Sequence, residues 1–170
     1  GLGISVATDG NHVVAGALAG AVQVFDARTG NVVHALLGDD HTTPTSDWAR
    51  AKRFGAAVAI DPAGLIVVGA PGTALDMWGL VLWPGAGDPD SAGSAYVFDT
   101  SSGDQLAKIT PADGTTTDMF GRSIAVNVAA DAIVVGALSK DTSTGAVYVY
   151  SATAPFGLRF KVDQPSGSPS

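Results

Sequence analysis

Among the side chains of this sequence, the aspartate carboxylates are those whose type and spacing could form a ligand-binding site. Asp113 and Asp118 lie five residues apart in the stretch ADGTTTDMFG, on either side of three threonines. Carboxylate and hydroxyl oxygens of this kind suit Ca²⁺ or the hydroxyl groups of a glycan. They also suit a turn in which the aspartates accept hydrogen bonds from backbone N–H groups. The turn is the favoured interpretation, and a weak metal or glycan site at Asp113 and Asp118 is the alternative.

A second polar stretch, GDDHTTPTSDWARAKRF, occupies residues 38–54 and combines acidic, basic and imidazole groups. Asp39, Asp40 and His41 could be drawn as ligands of a divalent ion, because carboxylate and imidazole suit several such ions. Adjacent loop residues seldom converge on one ion without ligands from elsewhere in the chain. We therefore favour a solvated loop over a metal site in this stretch.

Residues for enzymatic catalysis are not evident. The three histidines, His12, His34 and His41, belong to different parts of the sequence, and none stands in a recognisable nucleophile–base arrangement. The sequence contains no Cys, no Gly-x-Ser-x-Gly elbow and no phosphate-binding loop. We therefore predict no catalytic residue, no cofactor site and no enzymatic activity.

Charge and composition restrict the class of partner. Nine Lys and Arg residues oppose sixteen Asp and Glu residues, giving a formal net charge of −7. This excess of negative charge disfavours nucleic acid and anionic membrane surfaces. The sequence has no apolar run of the length that a membrane-spanning helix requires, so spanning is not expected. Peripheral association with a membrane complex stays open.

Three stretches of the sequence follow one plan. They are LGISVATDGNHVVAGAL, FGAAVAIDPAGLIVVGAP and FGRSIAVNVAADAIVVGAL, beginning at residues 2, 54 and 120. Each joins an apolar residue and glycine to an alternating run, a small turn, a β-branched run and Gly-Ala. A third and a fourth run follow each stretch, as in GSAYVFDTSSGDQLAKIT. This self-similarity indicates a repeat of about fifty residues.

Four short runs rich in β-branched and aromatic residues in each unit predict an all-β fold. Four-stranded units at this period are typical of a β-propeller, with one antiparallel sheet per blade. We predict a propeller-type array of three four-stranded antiparallel blades, partial or open, since closed propellers have about four to eight. Gly69 and Gly136 are expected where neighbouring blades approach closely, and Phe54 and Phe120 are expected to fill the space between blades.

The order of the motifs FGAAVAI, IVVGAP and GSAYVFDTSSGDQLAKIT resembles the FG-GAP repeat, the blade unit of the integrin α-subunit propeller. The third unit is similar, with DMFGRSIAV, IVVGAL and GAVYVY, and the first unit has Leu2-Gly3 in place of Phe-Gly. The resemblance covers almost the whole chain. The predicted division is blade 1 at residues 1–53, blade 2 at 54–119, blade 3 at 120–163 and a flexible tail at 164–170.

This resemblance implies a propeller used for binding, often in adhesion or recognition, without a shared catalytic mechanism. Many members of the family bind Ca²⁺ in an Asp-rich loop between the first two strands. The corresponding loops here are TDGNH, DPAG and NVAAD, which are too short and too poor in carboxylates to supply six or more oxygen ligands. A site that used only Asp61 or Asp131 would be weak. We therefore expect the chain to form the propeller blades of this family without their Ca²⁺ sites.

The second unit carries an insertion, TALDMWGLVLWPGAGDPDSAG, at residues 73–93, where the other units turn sharply. A contiguous apolar patch on a loop usually marks a contact. We therefore predict a partner contact at five residues of the insertion, namely Met77, Trp78, Leu80, Leu82 and Trp83. The alternative is that the insertion folds back and covers its own blade.

The predicted function is a non-enzymatic protein-interaction or structural scaffold, a propeller segment that docks on partner proteins. We expect it in an extracellular, cell-surface or organelle-lumen assembly. The partner is another protein or the further blades of a longer chain. The alternative is a lectin-like or Ca²⁺-dependent ligand-binding or adhesion propeller.

Overall fold

The computed structural model describes residues 1–17, 20–38, 53–72 and 92–163. Within these residues the chain forms three four-stranded antiparallel sheets, each made of four consecutive strands. The first sheet contains β1 (Leu2–Thr8), β2 (His12–Ala17), β3 (Val22–Asp26) and β4 (Val32–Leu36). The second contains β5 (Ala57–Asp61), β6 (Leu65–Ala70), β7 (Ser94–Asp99) and β8 (Gln105–Ile109). The third contains β9 (Phe120–Asn127), β10 (Ala132–Ala137), β11 (Ala146–Tyr150) and β12 (Leu158–Asp163).

This architecture confirms the predicted all-β fold, an open or partial array of propeller-type sheets. A single-turn helix, α1 (Lys140–Ser143), lies between β10 and β11 and was not predicted. Four residues are too few for a helical period to show in the sequence. No helix in the described part of the chain is long and apolar enough to cross a membrane.

Two hairpin turns, one after β3 and one after β7, are each closed by an aspartate in the same way. Asp26 Oδ1 accepts hydrogen bonds from the backbone N–H groups of Arg28 and Thr29 after β3. Asp99 Oδ1 accepts hydrogen bonds from the two residues that follow Thr100 in the same way after β7. Hydrogen bonds to the ionised carboxylates hold both pKa values below the ordinary value, chiefly from the backbone N–H of Thr29 at Asp26 and from the hydroxyl of Ser101 at Asp99. The aspartates at the end of the third run therefore close the turn to the fourth.

The sheets stack face to face, and an apolar core fills each of the two junctions. The first core joins the first and second sheets and consists mainly of Val14, Val22, Val24, Leu36, Phe54, Val58, Ile66, Val68, Tyr96 and Phe98. The second core joins the second and third sheets and consists mainly of Val67, Ala95, Val97, Ile109, Phe120, Ile133, Val135, Tyr148 and Tyr150. Side chains alternate across a strand, so β6 sends Ile66 to the first core and Val67 to the second. The middle sheet is thus apolar on both faces.

A repeated aromatic cluster lies in each core. The ring of Phe54 meets the ring of Tyr96 edge to face, with centroids 5.2 Å apart and planes at 73°. The ring of Phe120 meets that of Tyr148 in the same way, at 5.3 Å and 75°. Edge-to-face contact places the positive ring edge against the negative ring face. These contacts confirm that Phe54 and Phe120 fill the space between neighbouring sheets.

Glycines let the backbones of neighbouring sheets touch at both junctions. A Cβ atom added at Gly16 would overlap the carbonyl oxygen of Gly55, and one added at Gly69 would overlap that of Gly121. Gly55 and Gly121 have φ angles of +89° and +88°, a conformation that residues with a side chain rarely adopt. The Gly-Ala motif of one sheet is therefore covered by the apolar-Gly motif of the next, as predicted for Gly69.

Candidate functional site

The outer face of the first sheet is apolar and exposed. Ala7 and Val14 pack into the first core, so their neighbours in β1 and β2 point to the opposite side. The side chain of Leu2 is 53% exposed and that of Val6 is 67% exposed. The face that carries them corresponds in the repeat to the faces buried in the second and third sheets.

The outer face of the third sheet is apolar as well. The ammonium group of Lys161 lies 5.5 Å from the ring centre of Tyr148, on the side of the second core. Alternation in β12 therefore turns Phe160 and Val162 outward, and each of these side chains is about half exposed. A soluble surface seldom carries contiguous apolar side chains of this size unless they form a contact.

A cavity of about 570 Å³ opens on this outer face of the third sheet. It lies at the start of β9 and at the turn between β10 and β11. Its lining includes Ser123, Gly136, Thr144, Val147 and Val162. The wall is mostly apolar, and the exposed hydroxyl-bearing residue Ser123 lies at its base beside Gly136. We call this cavity, which these five residues line in part, the Gly136 cavity.

A charged cluster lies at the connection between β8 and β9. The Oδ2 atom of Asp118 is 3.1 Å from the Nζ atom of Lys140, and both side chains are buried. Asp118 also accepts hydrogen bonds from the backbone N–H and the hydroxyl of Thr115. Lys140 Nζ donates a further hydrogen bond to the carbonyl oxygen of Asp113. These contacts fasten the β8–β9 connection to α1 of the third sheet.

The exposed side of the cluster is centred on the carboxylate of Asp113. Tyr148 donates its hydroxyl hydrogen bond to Asp113 Oδ1 over 2.9 Å, and Lys161 Nζ lies 2.9 Å from Oδ2. Partial burial works to raise the pKa of Asp113, but the bonds from Lys161 and Tyr148 hold it below the ordinary value. The stabilisation from this carboxylate is therefore present above the pKa of the unfolded state and lost as the pH falls through the lower folded pKa.

Asp113 and Asp118, the weak metal or glycan candidates of the sequence, are thus brought together with two lysines. Each lysine supplies positive charge where a bound cation would otherwise supply it. Among the described residues, no group of three or more His, Asp or Glu side chains could hold a metal ion. Asp113 and Asp118 therefore form ion pairs with Lys161 and Lys140, and these pairs join the β8–β9 connection to the third sheet.

The other sequence candidates occupy turns or lie outside the described residues. Asp61 Oδ1 accepts a hydrogen bond from the backbone N–H of Ala63 over 2.8 Å in the β5–β6 turn. Asp9, in the corresponding loop TDGNH, accepts one from the backbone N–H of His12 over 2.6 Å. Asp131 Oδ1 accepts hydrogen bonds from the hydroxyl of Ser151 and the N–H of Ala152. The predicted contact residues and loop ligands Met77, Trp78, Leu80, Leu82, Trp83, Asp39, Asp40 and His41 lie outside the described residues.

The comparison with protein families finds a match at residues 104–150, to the FG-GAP repeat model. Residues 104–150 are therefore similar to an FG-GAP repeat. The matched FG-GAP residues run from the start of β8 through β9 and β10 to the end of β11. The resemblance read from the sequence is therefore confirmed. FG-GAP repeats indicate a propeller-type interaction module, and the propellers of this family are generally non-enzymatic.

Solved structures with the same fold include two computationally designed proteins. The designed Ika8 protein has a TM-score of 0.58 and 17% identity, over 94% of this chain and 36% of its own. The designed Ika4 protein has a TM-score of 0.54 and 18% identity, over 89% of this chain and 66% of its own. The chain thus spans about a third of one and just under two thirds of the other. At this identity the likeness concerns the fold alone, and no curated protein matches.

The ion pair between Asp118 and Lys140 lies within the matched residues and allows a direct test of its structural role. Replacing Lys140 with Met is expected to lower the free energy of unfolding by about 3 kcal/mol, because Asp118 is left as an uncompensated buried charge. Urea denaturation measures this loss. A combined Lys140→Met and Asp118→Asn change should recover much of it, since the buried charge is removed.

The matched control is Lys161→Met, because Lys161 pairs with Asp113 at the surface. That change should cost less than about 1 kcal/mol, as exposed ion pairs do. Equal losses for the two lysine variants would show that the buried pair has no special structural role.

Proposed function

We propose that this chain is a non-enzymatic protein-interaction or structural scaffold, a propeller segment that docks on partner proteins in an extracellular or lumenal assembly. The observation that supports it is the pair of apolar outer faces on the first and third sheets. Leu2 and Val6 on one face, and Phe160 and Val162 on the other, are each at least half exposed. The hydrophobic residues at the corresponding positions inside the array belong to the two cores or pack against them.

The energetics favour covering these faces. Removing a Val, Leu or Phe side chain from water contributes about 1.5–3 kcal/mol. Several such side chains on each face therefore supply enough free energy for a stable contact, against the cost of association. The excess of acidic residues, with a net charge of −7, favours a protein partner over a nucleic acid or an anionic membrane.

The insertion remains a second proposed contact. Trp78 and Trp83 are of the residue type that most often anchors a protein interface. The proposal that they bind a partner rests on the sequence. Changing both to Ser should weaken partner binding without affecting the contacts of the outer faces.

The lectin-like or Ca²⁺-dependent alternative has less support. Its proposed ligands, Asp113 and Asp118, are each engaged by a lysine. A glycan or cation would have to compete with an ammonium group at both carboxylates.

Site-specific photocrosslinking tests the proposed function. A photoreactive amino acid is placed at Val6, at Phe160 or at Leu106, and the full chain is irradiated in an extract of the cells that make it. Leu106 is the matched control, because its side chain is 47% exposed but belongs to the middle sheet. We expect a protein adduct of discrete mass at Val6 and Phe160, identified by mass spectrometry. Adduct yields at both positions no higher than at Leu106 would overturn the proposal.

A further inference from the structure

The junction between the first and second sheets shows how one sheet receives the next. Gly16 lies against the backbone of Gly55, which arrives at the start of the second sheet. The hydroxyl of Ser5 donates a hydrogen bond of 2.7 Å to the carbonyl oxygen of Gly55. Ser5 is the strand partner of Gly16 in the same sheet. The receiving side is thus a glycine with a serine hydroxyl beside it.

The junction between the second and third sheets repeats the glycine contact, with Ala57 in place of a serine as the strand partner of the glycine. Gly69 lies against the carbonyl of Gly121. The backbone N–H of Phe120 donates a hydrogen bond of 2.8 Å to the carbonyl oxygen of Ala92, two residues before β7 begins. Each junction therefore joins an apolar-Gly pair to a Gly-Ala strand end. The second junction also bonds to the turn before the third strand, and at the first a Cβ added at Gly55 would lie 3.3 Å from the carbonyl oxygen of Ala21 in that turn.

The Gly136 cavity contains the groups found on the receiving sides of the two filled junctions. Gly136 is the strand partner of Ser123, as Gly16 is of Ser5. Thr144 stands two residues before β11 and lines the cavity, in the position that Ala92 holds before β7. Nothing from a neighbouring sheet fills this space in the described part of the chain.

The first sheet carries an apolar-Gly pair like those that insert at the two filled junctions. Leu2 is paired with Ala17 in its sheet, as Phe120 is paired with Ala137. Gly3 has a φ angle of +93°, close to the +89° of Gly55, and no atom of the described residues lies within 4 Å of a Cβ placed on it. The inserting pair at Leu2 and Gly3 is therefore formed and uncovered.

We infer that the Gly136 cavity binds the Leu2–Gly3 pair of a second copy of this chain. The carbonyl oxygen of Gly3 accepts the hydroxyl of Ser123 in the partner copy, and the N–H of Leu2 donates to the carbonyl of Thr144. The inference rests on the proposed function, because it names the partner of the two outer faces. A second copy is the occupant because the same chain carries one uncovered inserting pair and one open cavity of matching geometry.

Two such contacts close a ring. The interface is head to tail, and a head-to-tail interface forms a ring when its rotation closes. Each copy contributes three sheets, so two copies give a six-sheet ring. That number lies within the range of about four to eight blades seen in closed propellers. Every inner face of such a ring is covered.

The experiment uses the full 170-residue chain in sedimentation equilibrium at about 0.15 M salt, where repulsion between acidic copies is screened. The wild type is expected at twice the mass of the 17.0 kDa chain. Leu2→Glu removes the inserting side and Val147→Glu blocks the cavity. Each should weaken association at least about a hundredfold, because an unpaired charge enters an apolar contact. Both side chains are exposed, and circular dichroism checks that each variant folds.

Mixing the two variants gives the decisive measurement. One variant keeps the cavity and the other keeps the inserting pair, so an equimolar mixture should form a two-chain species although neither variant does so alone. The matched control, Leu106→Glu, should associate like the wild type. Val162→Glu provides a second change in the cavity with the same expected loss.

A wild type that stays monomeric over the whole concentration range would overturn this inference, as would dimers that survive both changes. Neither result bears on the proposed function. If the chain is monomeric and Phe160 crosslinks to a different protein, the inference of a second copy is wrong and the proposed scaffold function is retained.

Discussion

Replacing Gly69 with Ala is expected to lower the free energy of unfolding by about 3 kcal/mol or more, through overpacking against main-chain atoms. The added methyl would overlap the carbonyl oxygen of Gly121. A backbone carbonyl in a strand cannot turn aside as a flexible side chain can, so the second and third sheets must move apart. Urea denaturation followed by circular dichroism measures the loss.

The control for this change is Gly157→Ala. A Cβ at Gly157 would contact nothing within 4 Å. Its replacement should be neutral, or stabilising by a few tenths of a kcal/mol through the unfolded state. A Gly69 variant as stable as the Gly157 variant would mean that the sheets do not touch through their backbones.

Replacing Phe120 with Ala is expected to cost about 3–5 kcal/mol, the range for deleting a large buried aromatic ring. The side chain is fully buried. Its ring stands edge to face against Tyr148 and Tyr150, with centroids 5.3 and 6.1 Å away. The change removes both aromatic contacts and leaves a cavity between the second and third sheets. The midpoint of urea denaturation should fall accordingly.

Leu2→Ala provides the comparison, because Leu2 holds the same position in the repeat but is exposed in a single chain. Under conditions where the chain is monomeric, that change should cost less than about 1 kcal/mol. A large loss for Leu2→Ala in the monomer would contradict the exposed position of this residue.

Much of the fold could be predicted from the sequence because the repeat presents each pattern three times. Alternating β-branched runs bounded by Gly and Asp predicted the strands, and the Gly-Ala pairs predicted the close approach at Gly69. The family match at residues 104–150 crosses from the second sheet into the third. The division into blades at residues 54 and 120 therefore stays a prediction of the sequence.

The charged cluster could not be predicted, because its members are distant in sequence. Asp113 meets Tyr148 and Lys161 at separations of 35 and 48 residues. Only the antiparallel pairing of β11 with β12, which sets Tyr148 opposite Lys161, brings them together. A sequence shows the two aspartates of the ADGTTTD stretch and not the lysines that neutralise them.

The Gly136 cavity could not be predicted from the sequence for a different reason. Its counterparts at Gly16 and Gly69 are filled by the chain itself, and the same motif in sequence does not reveal which copy is covered.

The face-to-face stacking of the sheets also sets how stability is distributed. Packing runs from the first sheet to the second and from the second to the third, so the array behaves as a short one-dimensional chain of coupled units. The middle unit has two neighbours and each end unit has one. Amide hydrogens of β6 and β7 should consequently exchange with solvent most slowly, while the end sheets open first. A ring without ends would remove this gradient, and all three units would then be protected alike.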